Sequence, residues 1–333
     1  MKISEVLIKK YLEIKRDLPW RNTQDPYYIW LSEVILQQTR VNQGLPYFTK
    51  FSQIFPNLES LAQASEDQIL HLWQGLGYYS RARNMLNTAK IAFQTYGNNF
   101  PSSYNELIKL KGIGPYTAAA IASFAANEPY AVVDGNVIRV ITRFVGITEP
   151  VDSSKVKKNI HALAQEWMDP KHAALHNQAI MELGALICKP QNPLCSECPL
   201  IGACYAYKHN AQKDLPCKTP KKAKKTRYLH YFLVNDKKQY IRKRDTDDIW
   251  AGLYELPLIE SNSADLENLN IYNPLLYSKH THQLSHQTLK ISFWEIEDLP
   301  FNKKNYISVA NEDLAQYGFP IVLQKTLNQK FKL

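Results

Sequence analysis

Four of the chain's five cysteines stand within 17 residues, in "CKPQNPLCSECPLIGAC". Cys188, Cys195, Cys198 and Cys204 follow the spacing C-x6-C-x2-C-x5-C, with Pro190, Pro193 and Pro199 between them. The prolines keep the loop out of helix, and four thiolates so close together can wrap one tetrahedral ion or one cubane cluster. Zinc loops are usually built from two tight C-x2–4-C knuckles, whereas the first gap here is six residues. Iron–sulfur ligation tolerates uneven gaps, so the spacing favours a [4Fe–4S] cluster with structural zinc as the alternative. Cys217 lies outside the set and reads as a free thiol. Crowded cysteines in an odd number fit metal binding in a reducing compartment better than disulfides.

From Lys2 to about Tyr207 the pattern is helical, with apolar residues three and four apart in "LESLAQASEDQILHLWQGLGYYSRARNMLNTAKIAFQTYG". The stretch "LPCKTPKKAKKTRY" then carries Pro216, Pro220 and six basic residues between Lys218 and Arg227, and reads as a solvated tether. Beyond it, "YLHYFLVNDKKQYIRKR" predicts a hairpin turning at Asn235-Asp236, and "TLKISFWEI" a further strand. The predicted organisation is an all-α domain over 1–215, a basic linker over 216–227, and a smaller α+β domain over 228–333. Two domains are the default for 333 residues. The excess of 40 Lys+Arg over 31 Asp+Glu gives a net charge of +9, for which nucleic acid is the commonest partner. No apolar run approaches the roughly 18–20 residues that cross a bilayer, so no membrane association is expected. The first 20 residues carry Glu5, Glu13 and Asp17, unlike a signal or transit peptide, and a cytoplasmic protein is expected.

The segment "SYNELIKLKGIGPYTAAAIASFAA" places Ser103 and Glu106 at capping-box spacing and predicts a helix ending at Gly112. Pro115 follows Gly114 as a first helical residue, and an alanine-rich helix comes next. Amides of such a turn and helix start form an anion site, although a plain αα-hairpin has the same pattern.

Taken with the cysteine spacing and the following Val-Val-Asp, this hairpin (about 103–126) resembles the DNA-gripping motif of the helix-hairpin-helix DNA glycosylases. The chain is identified as a member of the MutY-type adenine DNA glycosylases within that superfamily. The resemblance implies a multidomain fold: an all-α helix-hairpin-helix glycosylase domain with a [4Fe–4S] loop at 188–204, plus a C-terminal α+β Nudix-like domain. Gly112 and Gly114 would hold a DNA phosphate. The partner implied is double-stranded DNA containing A·8-oxoguanine or A·G mispairs, bound by a monomer in the bacterial nucleoid. A sliding clamp or other repair protein is left open.

Cleaving a base from deoxyribose requires an acid for the leaving base and an anion beside the sugar cation. Glu33, in "DPYYIWLSEVILQQTRV", shares its helix face with Ile29, Trp30, Leu36 and Gln37, and burial there would keep it protonated. An exposed helical glutamate is the alternative on sequence alone; the resemblance makes Glu33 the general acid at adenine N7. Asp134, 20 residues after Gly114, reads both as an ordinary N-cap and, by resemblance, as the aspartate beside the sugar. Asn136 would orient it or a water. At Tyr116 the lyase relatives of the endonuclease III type carry the lysine that attacks the sugar; tyrosine forms no Schiff base. The resemblance implies that Tyr116 hydrogen-bonds the aspartate instead.

Arg21 and Leu36 are expected near the flipped adenine, and Gln38 and Tyr78 match residues that wedge into the duplex. Arg81 and Arg83 are candidate phosphate contacts. In the C-terminal domain "IWAGLYELP" matches a MutY segment, but no acidic Nudix run follows Gly252, so binding without hydrolysis is expected. Leu284, Ser285 and His286 occupy the place of a Phe-Ser-His loop that contacts 8-oxoguanine, with leucine in place of the aromatic residue. His280, His282 and His286 lack a further ligand for zinc. The rival readings are a lyase acting on oxidised pyrimidines, a non-catalytic lesion binder, and a nucleotide-pool hydrolase.

Overall fold

Six of the twelve residues from Pro115 to Ala126, the second helix of the hairpin, are alanine, and neighbouring helices pack closely against it. The computed structural model describes residues 2–220, 223–245, 247–264, 274–299 and 302–333. The chain divides into two compact units: Met1–Gln63 with Asn84–Lys221, and Ala64–Arg83 with Lys222–Leu333. That Ala64–Arg83 belongs to the second unit departs from a single break at 216–227. The cause is specific contact: Gln74 donates to Phe319 O at 3.1 Å, and Lys243 pairs with Asp67 at 2.5 Å.

The helices are α1 (Ile3–Ile14), α2 (Pro26–Leu36), α3 (Val41–Ile54), α4 (Leu58–Ala62), α5 (Glu66–Leu72), α6 (Ser80–Tyr96), α7 (Tyr104–Leu107), α8 (Pro115–Ala126), α9 (Gly135–Val145), α10 (Ser154–Trp167), α11 (Ala173–Leu186) and α12 (Tyr205–Lys208). Of these α5 and the first residues of α6 fall in the second unit. Asp25 caps α2 by accepting from Tyr27 N at 2.8 Å, with Pro26 at its first position. Eight of the eleven residues of α2 are buried, as suits a helix that packs on both α3 and α8. Trp30 of α2 stacks on Phe100 at 4.6 Å between ring centroids. A second cluster, with Val137, Ile141, Ile180 and Leu183, joins α9, α10, α11 and α1.

The hairpin differs from expectation on its first side. Ser103 donates to the Glu106 carboxylate at 2.6 Å instead of accepting from its amide, and Tyr104 N is taken by Glu128 at 3.1 Å. With no capping box, α7 is one turn long and ends at Leu107, before Gly112. Gly112 has φ of +98°, and a Cβ there would lie 2.5 Å from the Thr88 hydroxyl. Gly114 caps α8 and Pro115 opens it.

The basic linker is tied down at its start, since Val151 N donates to Cys217 O and Thr219 N to Asp152, each at 3.0 Å. The first strand, β1 (Lys225–Val234), begins three residues earlier than Tyr228. It is followed by β2 (Lys238–Lys243), β3 (Tyr254–Glu255), β4 (Leu258–Ser261), β5 (Leu275–Gln283), β6 (Gln287–Ile296), β7 (Ile307–Ala310) and a closing helix α13 (Ile321–Phe331). One sheet has the order β4-β1-β6-β5, with β1 and β6 parallel; the other has β3-β2-β7. The predicted hairpin across Asn235-Asp236 does not form, because β1 and β2 enter different sheets. The Gln239 side chain takes the place of a strand partner there, bonding both Val234 N and Val234 O. Leu323 and Leu327 of α13 pack on Leu229, Tyr231 and Phe293 of the first sheet. Among the described residues no helix is long and apolar enough to cross a membrane.

Candidate active site

A cavity of about 590 Å³ in the first unit gathers seven of the sequence-predicted residues: Arg21, Glu33, Leu36, Gln38, Tyr116, Asp134 and Asn136. The local fold explains the meeting. Helix α2 presents Glu33 from its buried side, Tyr116 sits in the first turn of α8, and Asp134 caps α9. Gln38 follows α2 with φ of +54°, a region that a non-glycine residue enters at a cost.

Glu33 is only 8 % exposed. Burial pushes its carboxyl up to about 7, helped by the Asp134 charge and opposed by the Tyr116 hydroxyl and Arg21. It therefore exchanges its proton near neutrality and holds it below. Tyr116 is hydrogen-bonded to Glu33, and its hydroxyl is raised well above the ordinary phenol value by burial and by the Glu33 and Asp134 charges. In the structure the Tyr116 hydroxyl reaches Glu33, where the resemblance implied a bond to the aspartate. The aspartate's oxygens are already engaged: Oδ1 accepts from Asn136 N and Val137 N, each at 2.8 Å, and Oδ2 from Asn136 Nδ2 at 2.6 Å. Burial raises the Asp134 carboxyl above its usual value, while these donors and Arg139 oppose the shift. Donors on both oxygens at a helix N-terminus favour the anion.

Asn136 passes the restraint on. Its Oδ1 accepts from Arg139 Nη2 at 2.9 Å; Arg139 also donates to Gly184 O at 2.7 Å and Cys188 O at 2.6 Å. Gly184 is what lets α11 come this close, because a Cβ there would lie 2.6 Å from Asn136 Cβ.

Sequence reasoning missed Glu182. It is fully buried, and accepts from Arg16 Nε and Nη2 at 2.8 and 2.6 Å and from Arg21 Nη1 and Nη2 at 3.0 and 2.8 Å. Burial opposes its charge, but the two guanidinium groups outweigh it and hold the carboxyl down to about 2. Arg16, Trp20, Gln178 and Met181 also line the cavity. The available signal was an acid inside the apolar helical run "AIMELGALI", four residues after Gln178. One cavity thus holds a carboxyl that titrates near neutrality, an ionised one braced by arginines, and a third at a helix cap.

The remaining predicted residues lie elsewhere. Gly112 and Gly114 are exposed on the hairpin. Tyr78, Leu284, Ser285 and His286 line a second cavity of about 420 Å³ within the second unit. Arg81 is not a free phosphate arm: it is 9 % exposed, with its guanidinium 5.0 Å from the Trp73 ring. Arg83 donates to Ala251 O. Cys188, Cys195, Cys198 and Cys204 all line one small cavity with apolar walls, and none is in a disulfide. Arg143, 3 % exposed, staples the loop by donating to Leu215 O, Lys189 O and Pro190 O at 3.0, 2.7 and 3.1 Å, with Nη1 3.4 Å from Cys188 Sγ.

Residues 31–170 match the HhH-GPD superfamily of base excision DNA repair proteins, and residues 230–329 match the NUDIX domain. The adenine DNA glycosylase of Buchnera aphidicola subsp. Baizongia pistaciae is 39% identical over 290 residues, covering 84% of this chain and 81% of the relative. That of Buchnera aphidicola subsp. Schizaphis graminum is 35% identical over 340 residues, covering 97% of each. Among solved structures, a thermostable thymine-DNA glycosylase aligns with a TM-score of 0.57 and 26% identity, over 62% of this chain and 95% of its own. A non-covalent endonuclease III–DNA complex aligns at 0.54 and 20% identity, over 63% and 97%, and shares the fold. A helical glycosylase fold with its carboxylates in one cavity, joined to a Nudix-like domain and matched over nearly the full length, means that this chain belongs to the adenine DNA glycosylase family and is a DNA glycosylase of base excision repair.

Proposed function

We propose that the protein hydrolyses the N-glycosidic bond of adenine mispaired with 8-oxoguanine, or with guanine, in duplex DNA and stops there. The observation that carries this reading is the buried Glu33, held near 7 and hydrogen-bonded to Tyr116, in one cavity with Asp134. Glu33 donates its proton to the leaving adenine as the C–N bond breaks, and the bonding pair leaves with the base. The Asp134 carboxylate stabilises the oxocarbenium that remains. Water then adds to the sugar carbon, and its proton returns to the Glu33 carboxylate. Among the described residues no lysine lines the cavity, and Tyr116 stands where an amine would be needed for a Schiff base, which supports hydrolysis without strand cleavage. Excision from A·8-oxoguanine, A·G and thymine-glycol duplexes, run side by side with borohydride trapping, tests the reading. Adenine release without trapping is expected; efficient trapping, or release from thymine glycol alone, would overturn it.

Cys188, Cys195, Cys198 and Cys204 would hold the [4Fe–4S] cluster of this reading. Four thiols line one small cavity with apolar walls, and their uneven C-x6-C-x2-C-x5-C spacing supports a cluster over the tight knuckles of zinc. When bound it supplies a structural knot that closes the loop.

Gly114 offers a clean probe of the DNA grip. Its φ is −91° and a Cβ there meets nothing within 4 Å, so Gly114→Ala should fold normally. If a phosphate approaches the amides at this turn, the added methyl blocks it. Binding to lesion duplex should weaken, with the salt slope reduced by about 1; an unchanged isotherm would remove the hairpin from the interface. Gly184→Ala should act differently. The new methyl must displace Asn136, so excision should fall about tenfold or more, with a stability loss of about 1–3 kcal/mol. Single-turnover assays and thermal melts check both effects.

A further inference from the structure

Among the described residues the aromatic side chains carried at positive φ are Tyr78, at +49°, and Trp250, at +58°. Both line the same cavity in the second unit. A bulky residue in the left-handed region is an outlier that persists only where its surroundings over-determine it, and such outliers gather at ligand clamps.

The surroundings of Trp250 meet that condition. Ile249 N is held by Asp248 Oδ1 at 2.7 Å and Ile249 O by Arg244 Nε at 2.9 Å. Trp250 O accepts from Leu253 N at 3.0 Å, and Ala251 O accepts from Arg83. Asp248 is itself clamped by Arg227 at 2.7 and 2.8 Å and by Arg244 at 2.6 Å. The segment is thus locked on both sides of the strained residue. The Trp250 ring lies 5.7 Å from that of His282 and remains partly exposed. Tyr78 is 45 % exposed. The same cavity presents the polar groups of Ser285 and His286, whose Oγ and Nδ1 are 3.2 Å apart. Aromatic faces with a few hydrogen-bonding groups beside them suit a flat heteroaromatic base.

We propose that Trp250 is a specificity-determining residue, its indole supplying the ring surface against which the base opposite the target adenine packs. Leu284, on the loop of the same cavity, provides no such ring. The proposal rests on the reading that the protein discriminates 8-oxoguanine from guanine in that position.

The test is the affinity ratio for duplexes carrying an uncleavable 2′-fluoro-adenosine opposite 8-oxoguanine or guanine, for wild type, Trp250→Gly and Trp250→Phe. Glycine takes this backbone conformation without strain, so W250G removes the ring while easing the backbone. The preference for 8-oxoguanine should fall about tenfold in W250G and stay within about threefold of wild type in W250F. Should W250G melt below the assay temperature, Trp250→Asn, which also tolerates this conformation, replaces it. A wild-type ratio retained in W250G, or lost equally in W250F, overturns the role of the indole. A wild type that binds both duplexes alike overturns the discrimination reading and the proposal with it, and is recognised without any variant.

Discussion

Glu33→Gln should bind lesion duplex with near-wild-type affinity and release adenine at least about a hundredfold more slowly, the range expected for loss of a positioned general acid. Glutamine keeps the size of the side chain and an acceptor for Tyr116, so what is lost is the proton. The pH dependence of the wild type follows from the same group. Its carboxyl titrates near 7, so the single-turnover rate should fall roughly tenfold per unit above that value. A wild-type profile flat from pH 6 to 9 would remove Glu33 from the acid role, as would normal turnover by E33Q.

Stability should fall with pH as well. Glu33 is raised in the fold from 4.5 to about 7, so its contribution is fully present below about 4.5 and lost as pH rises through about 7. The shift corresponds to about 3 kcal/mol. Glutamine has no charge to bury, so E33Q should gain on wild type between pH 5 and pH 8. Parallel thermal melts at the two pH values measure the difference. The protein thus carries an acid whose chemistry costs it stability at the upper end of its working range, as active sites commonly do.

Helix patterning and the Gly-Ile-Gly-Pro run were enough to place Glu33, Tyr116 and Asp134 on separate elements. That they share one cavity is a consequence of how α2, α8 and α9 pack, which local periodicity does not encode. Glu182 was illegible for a related reason. An acid on an apolar helix is costly until its partners are known, and Arg16 and Arg21 lie more than 160 positions away in sequence. The failed capping box at Ser103 shows tertiary competition of the same kind, since Glu128 takes the Tyr104 amide from across the hairpin. The missing β1–β2 hairpin had a plausible turn but the wrong partner: β1 finds a longer parallel neighbour in β6, ten residues against ten. Gly184 and Trp250 carry no sequence signal at all, because close approach and backbone strain exist only in three dimensions.

Asp134→Asn should cost about a hundredfold or more in excision but lower the melting temperature only by the loss of one hydrogen bond, and this pairing of effects separates charge from cap. Asparagine caps helices about as well as aspartate and still accepts from Asn136 N and Val137 N through one oxygen, giving up the bond from Asn136 Nδ2. It cannot stabilise a sugar cation, and losing one preorganised electrostatic partner of a charged transition state costs on the order of 10²–10³ in rate. A second readout follows from the coupling between the carboxyls. The Asp134 charge helps to raise Glu33, second to burial among the raising influences. Removing that charge must lower the Glu33 value, so the alkaline limb of whatever activity remains should move to lower pH. A role for Asp134 confined to capping α9 makes the opposite forecast: near-normal excision and an unmoved limb. Single-turnover rates of D134N from pH 5.5 to 8.5, set beside its thermal melt, decide between the two.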